Sequence, residues 1–157
     1  MSHGSMFEGL KMGATLYAGL YKDVATEMGS VKALALHGKQ CETMGTMMGD
    51  AMRAQLAGKE LTPHALAEVI GLLESSFGMS PMIEERPTGV IVRHRVCPFY
   101  DGYRQGGLDH AAIGSMCDAA TAAQVSALNR LLPQVSMRLE FRKTPDDACV
   151  EIYELKK

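Results

Sequence analysis

There is no tryptophan in this 157-residue chain, no Cys-x-x-Cys pair and no glycine-rich phosphate loop. No apolar run reaches the roughly 18 residues that a membrane span requires. There is no internal repeat and no low-complexity tract. The formal net charge is only -2, so neither nucleic acid nor an acidic partner is favoured by global charge. Met1–Met6 has no charged stretch followed by an apolar one, so no secretory signal is expected. Ser2-His3-Gly4-Ser5 reads as a cloning remnant ahead of a natural start at Met6. Without a signal, the four cysteines read as reduced thiols in a cytoplasm.

What is present fills a single domain of ordinary size. Twelve methionines stand out, and their flexibility suits an adaptable interior or an adaptable partner surface; a compositional habit would also produce them. The chain divides near Gly78–Pro87: residues 6–78 read as helical, and residues 79–157 as strand, helix and hairpin. Phe7, Leu10, Ala14, Tyr17, Tyr21, Val24 and Met28 recur at helical spacing. A second helix, Val31–Leu56, carries Leu34, Cys41, Met44, Met48 and Met52 on one stripe. Gly38, Cys41, Gly45 and Gly49 form a small-residue stripe beside it, which predicts close helix packing within or between subunits. Thr62 and Pro63 open a third helix with Leu66, Val69, Ile70, Leu73 and Phe77 inward. Thr88–Val96 reads as a strand, ended by Pro98. Ser80–Glu85 is ambiguous, so three strands or four are possible. Asp109 caps a long helix to about Leu132. Val135–Arg142 and Ala148–Leu155 form an antiparallel hairpin around Thr144-Pro145-Asp146-Asp147. The expected fold is α+β: an amino-terminal helical layer on a small antiparallel sheet, with one long helix between strands.

Chemistry is expected where three elements each deliver a cysteine. Cys97 sits at a strand end, Cys117 lies in the long helix with Asp118 beside it, and Cys149 opens the last strand. As an alternative, each thiol is a small apolar filler, the ordinary fate of a buried cysteine. Cys41, in the small-residue stripe, reads as packing. His94 shares a strand face with Val90, Val92 and Val96; it is either a satisfied core histidine or a partner for a reactive thiol. His110 follows the cap of the long helix and reads as surface. Cys97, Cys117 and Cys149 with one histidine could hold zinc, but spacings of 19 and 31 intervening residues match no compact zinc module, and no metal ligand is assigned. Arg93 and Arg95 share a strand face and could hold a substrate carboxylate or sit in a solvated, ion-paired surface. Tyr100 could line a pocket or cap the sheet edge.

The run Val96-Cys97-Pro98-Phe99-Tyr100, then Gly107-Leu108, Met116-Cys117-Asp118 and the late Cys149 resembles the L-2-amino-thiazoline-4-carboxylate hydrolase-like family over Thr88–Tyr153. A weaker likeness is to the four-vinyl-reductase sensory domain. The first resemblance implies hydrolytic opening of a cyclic amidine to a carbamoyl or ureido acid. It implies roles for Cys97, Cys117, Asp118 and Cys149. Cys117 would attack the C=N carbon, or Asp118 would activate water, with His94 assisting the leaving nitrogen. The expected partner is a small molecule, with no cofactor, and the amino-terminal helices are expected to join copies of the chain. The second resemblance implies a ligand-binding or sensor module with structural cysteines.

Overall fold

A computed structural model describes residues 3–156. Five helices and four strands follow in the order α1 (His3–Met28), α2 (Ser30–Leu56), α3 (Pro63–Ser76), β1 (Met82–Arg86), β2 (Gly89–His94), α4 (Pro98–Gln105), α5 (His110–Leu131), β3 (Val135–Glu140) and β4 (Cys149–Leu155). This is the expected α+β arrangement. His3, Gly4 and Ser5 form the first turn of α1, while Met1 and Ser2 lie outside the described residues.

Local chemistry places the ends. The Thr62 hydroxyl accepts from the Ala65 amide at 3.2 Å, and Pro63 occupies the first turn of α3. The Asp109 carboxylate accepts from the Ala112 amide at 2.7 Å and opens α5. Both caps satisfy donors that a helix start leaves orphaned.

The ambiguous segment before Pro87 is a fourth strand. β1 pairs antiparallel with β2, and the full order is β1-β2-β4-β3. β2 and β4 are therefore central. Their register sets Val90 opposite Tyr153, Val92 opposite Glu151 and His94 opposite Cys149. Directly opposed residues share a face. This resolves the orientation of β4: Cys149, Glu151 and Tyr153 point to the helices, and Val150 and Ile152 to the other face. The shared face ends at His94; Val96, predicted to continue it, lies past the strand and is exposed. The outer face carries ion pairs, including Arg93 to Glu84 at 2.9 Å and Arg86 to Glu84 at 2.8 Å.

Helix α2 packs chiefly on α5, and α1 on α4. The buried stripe of α2 is Ala33, His37, Cys41, Gly45, Gly49, Met52 and Leu56. The small residues, more than Met44 and Met48, are what α2 turns toward its neighbour. A Cβ on Gly45 would lie 2.7 Å from the Cα of Gln124, and one on Gly49 would collide with Leu131. The close approach predicted for this stripe thus occurs within the chain. One apolar cluster joins α3 (Leu66, Val69, Ile70) to Val90, Val92, Val135 and Tyr153 on the sheet. A second joins Ala14 and Ala18 of α1 to Tyr100, Tyr103, Ile113 and Met116. Between the two clusters the packing leaves a cavity.

Candidate active site

The cavity holds about 420 Å³ and is bounded by α1, α2, α5 and the inner face of the sheet. All four cysteines line it, and all four are free. The convergence expected of Cys97, Cys117 and Cys149 is therefore met, and Cys41 joins them. Much of the remaining wall is apolar, including Leu10, Met44, Met48, Phe77, Phe99 and Leu139.

Cys41, Cys97 and Cys117 sit in surroundings hostile to a thiolate. Burial pushes Cys97 up to about 11, with Cys149 adding to it and the nearby amides and Arg142 only partly offsetting it. Burial, then the neighbouring Cys97, Cys149 and Asp118, pushes Cys117 higher still. Burial also raises Cys41. The attacking species of a cysteine is the thiolate, so none of these three is an activated nucleophile at rest. Asp118, the expected partner of Cys117, is exposed and does not line the cavity, because one residue along a helix turns a side chain about 100° away. The Cys117–Asp118 centre is thus not assembled.

Polar chemistry gathers instead at the sheet end of the cavity. His94 ends the inner row of β2, Glu151 projects from the adjacent β4, and Glu74 reaches in from α3. The His94 Nδ1 lies 3.6 Å from Glu74 Oε2, and its Nε2 lies 3.4 Å from Glu151 Oε1. These are charge contacts that lack hydrogen-bond alignment. Glu74 and His94 are each only 4% exposed. Among the described residues, Glu74 Oε2 and both ring nitrogens of His94 are the buried side-chain polar atoms left without a hydrogen bond. Burial, then repulsion from Glu151, raises Glu74 to about 7 against the partial offset of His94. Burial alone would lower His94; Glu151 and Glu74 outweigh it, so the imidazole is raised. The second oxygen of Glu151 is held by the Tyr153 hydroxyl, which donates at 2.7 Å.

A buried guanidinium stands behind this corner. Arg142, 2% exposed, donates to Cys149 Sγ at 3.4 Å, to the His94 carbonyl at 3.3 Å and to the Pro145 carbonyl at 3.2 Å. It stacks 4.1 Å over the Tyr100 ring. Tyr100 faces Arg142 and His110, to whose Nδ1 its hydroxyl bonds at 3.0 Å, and it does not line the cavity. His110, read as surface, is half-buried between Tyr100 and Phe141. Arg93 and Arg95 lie away from the cavity; they line a separate surface cleft of about 650 Å³ with Phe7, Met82 and Asp146. The Cys3His zinc set is not gathered either. Among the described residues, the one group of three or more His, Cys, Asp or Glu side chains with ligand atoms within 4.8 Å of one another is Glu74, His94 and Glu151.

Three residues of the cavity escaped the sequence reading. Glu74 lies one turn after Ile70 on the apolar stripe of α3, a charge where the pattern calls for an apolar residue. Glu151 alternates with Cys149 and Tyr153 on the inner row. His37 falls between Leu34 and Cys41 on α2. Each carried the same signal, a polar residue in phase with a buried face.

Comparison with known proteins finds no matching family model, no matching curated protein and no matching solved structure.

Proposed function

We propose that the cavity binds a small ring compound and that the chain hydrolyses a C–N bond of a cyclic amidine or amide, the reaction class of the L-2-amino-thiazoline-4-carboxylate hydrolase-like proteins that Thr88–Tyr153 resembles. The observation that carries this reading is the corner of Glu74, His94 and Glu151, where Glu74 Oε2 and both ring nitrogens of His94 are buried without a hydrogen bond beside a largely apolar cavity. Native interiors rarely leave such groups unpaired, and a bound molecule with its water would supply partners. A small ring fits about 420 Å³. Its body would rest on Met44, Met48, Phe77 and Phe99, with the C=N carbon toward the corner.

The corner then does the work first assigned to Cys117 and Asp118. A water held there gives a proton to a carboxylate as its oxygen bonds to the amidine carbon. The C=N electron pair moves onto the ring nitrogen, which takes a proton from His94; as the ring C–N bond then breaks, that nitrogen takes the proton held by the carboxylate, and the new hydroxyl gives its proton back to His94 as the C=O forms. Cys97, Cys117 and Cys149 shape the wall. The test is to incubate the protein with L-2-amino-thiazoline-4-carboxylate and related cyclic amidines and follow the ring-opened acid by mass spectrometry. Glu151→Gln should lower turnover at least a hundredfold, and Cys117→Ala by less than tenfold. Wild-type turnover in Glu151→Gln would sink the role of the corner.

A second reading is a ligand-binding or sensor module resembling the four-vinyl-reductase domain. It is favoured by the raised thiols and the apolar wall. Ring compounds that bind without turning over would select it.

No helix among the described residues is long and apolar enough to cross a membrane. Met12, Leu16 and Leu20 recur every fourth residue on α1 and are 65%, 72% and 58% exposed. They are the face through which two copies would join, as expected of the amino-terminal helices. Sedimentation equilibrium should return twice the chain mass, and a monomer at tens of micromolar would refute it.

A further inference from the structure

We infer that Glu74, His94 and Glu151 form a binding site for one divalent first-row transition cation, with an open coordination position facing the cavity. The inference rests on the cavity's being a functional site, and it assigns that site a metal the hydrolytic reading does not require.

Three features of the corner point to an ion. The first is chemical: one imidazole and two carboxylates are a nitrogen and oxygen donor set suited to Zn²⁺, Mn²⁺, Fe²⁺ or Co²⁺. The second is geometric: one candidate ligand atom from each residue lies within 4.8 Å of the other two. Bonds of about 2.0–2.2 Å at tetrahedral angles place two ligands of one ion about 3.3–3.6 Å apart, so closure from the widest spacing is a side-chain shift of at most about 1.5 Å. The carboxylates flank opposite ring nitrogens of His94, 3.6 and 3.4 Å away. The ion takes one nitrogen, and the carboxylate beside the other swings inward. The third is the state of the donors: Glu74 and His94 are 96% buried by the 4% exposure of each, yet Glu74 Oε2 and the ring nitrogens have no hydrogen bond. Unpaired buried acceptors are costly, and a dication would both ligate them and neutralise two carboxylates.

The surroundings match what a metal centre needs beyond its ligands. The Tyr153 hydroxyl donates to Glu151 Oε2, orienting the carboxylate and leaving Oε1 for the ion. His94 and Glu151 project from the two central strands, and Glu74 from a helix packed on them, so the set is held by rigid elements. Three protein ligands with a cavity on the fourth side is the layout of a catalytic rather than a structural site.

The test uses the full chain, stripped with a chelator and titrated with Co²⁺ and Zn²⁺. One equivalent of metal should survive gel filtration, Co²⁺ should develop a visible d–d band, and the thermal midpoint should rise. Glu151→Gln and Glu74→Gln, close in shape to the wild-type residues, should each weaken Co²⁺ binding at least tenfold. His64→Ala removes a surface histidine paired to Glu85 and Glu68, and should bind as wild type does. Absence of stoichiometric binding to the folded, stripped protein would overturn the inference, as would wild-type affinity in both glutamine variants. Turnover by metal-free protein would overturn a catalytic metal while leaving the hydrolase reading intact. Tight binding without turnover would support the metal site and count against that reading.

Discussion

Two histidines of this protein are buried to nearly the same depth, His37 at 3% exposure and His94 at 4%, and both line one cavity. His37 is completed by its neighbours. Its Nε2 lies 3.1 Å from the Met116 carbonyl, which can only accept, so that nitrogen carries the proton. Its Nδ1 accepts from the Tyr17 hydroxyl at 3.0 Å. Burial lowers its pKa and outweighs the Met116 contact, so the ring stays neutral. The His94 ring has two carboxylates beside it and no hydrogen bond. Equal burial thus says nothing about role; what decides it is whether the surrounding groups close the hydrogen-bond account. His37 ties α2 to α5 and α1, whereas His94 is a residue waiting for something.

The contrast can be broken most forcefully at His94. His94→Ala leaves Glu74 and Glu151 facing each other without the imidazole, and removing one member of a buried charged set costs about 3 kcal/mol. Urea denaturation at pH 8 should show that loss, and a change below about 1 kcal/mol would mean the carboxylates are not relying on His94. The cysteines on the two sides of the cavity come next. With Cys97 near 11 and Cys117 above it, iodoacetamide at pH 7.5 should modify them at least roughly thirtyfold more slowly in the folded protein than in urea. Folded-state reactivity equal to that in urea would restore the thiol-nucleophile mechanism.

The smallest effect concerns the pH response of His37. Its folded pKa lies below its unfolded value, so its contribution to stability is complete above about pH 6.5 and is lost as the pH falls through the folded value. Between pH 7.5 and 5.5 the wild type should lose more stability than His37→Gln does, by urea titration. Equal losses would show that the ring takes up its proton without cost.

Much of the fold was legible because periodicity and caps are local. Thr62 and Asp109 cap their helices as read, and the hairpin around Thr144–Asp147 closes where turn residues predicted. Strand β1 was not legible, since Met82–Arg86 carries Glu84, Glu85 and Arg86 and shows no apolar alternation; pairing with β2 makes it a strand. For the site, the convergence of Cys97, Cys117 and Cys149 could be argued from topology. The pairing of Cys117 with Asp118 could not hold, because adjacency in a helical sequence is divergence in space. The Glu74–His94–Glu151 corner needed two long-range facts, the β2–β4 register and the docking of α3, and no local pattern encodes either. Arg93 fell on the outer side for a simpler reason, since the strand period puts it opposite His94, and Arg95 lies past the end of β2.

The central position of β2 and β4 has a consequence for hydrogen exchange. Edge strands open by local fraying, while central ladders release their amides only through larger openings. The β2–β4 ladder is flanked by β1 over Gly89–Arg93 and by β3 over Val150–Leu155, Glu151 included, and the His94–Cys149 pair is its unflanked last rung. Its flanked amides should therefore be among the slowest in the molecule to take up deuterium, with those of His94 and Cys149 exchanging sooner. The corner would then be dismantled by detachment of α3, which removes Glu74 alone, by fraying at the last rung, which removes His94 alone, or, at Glu151, by an opening close to global unfolding.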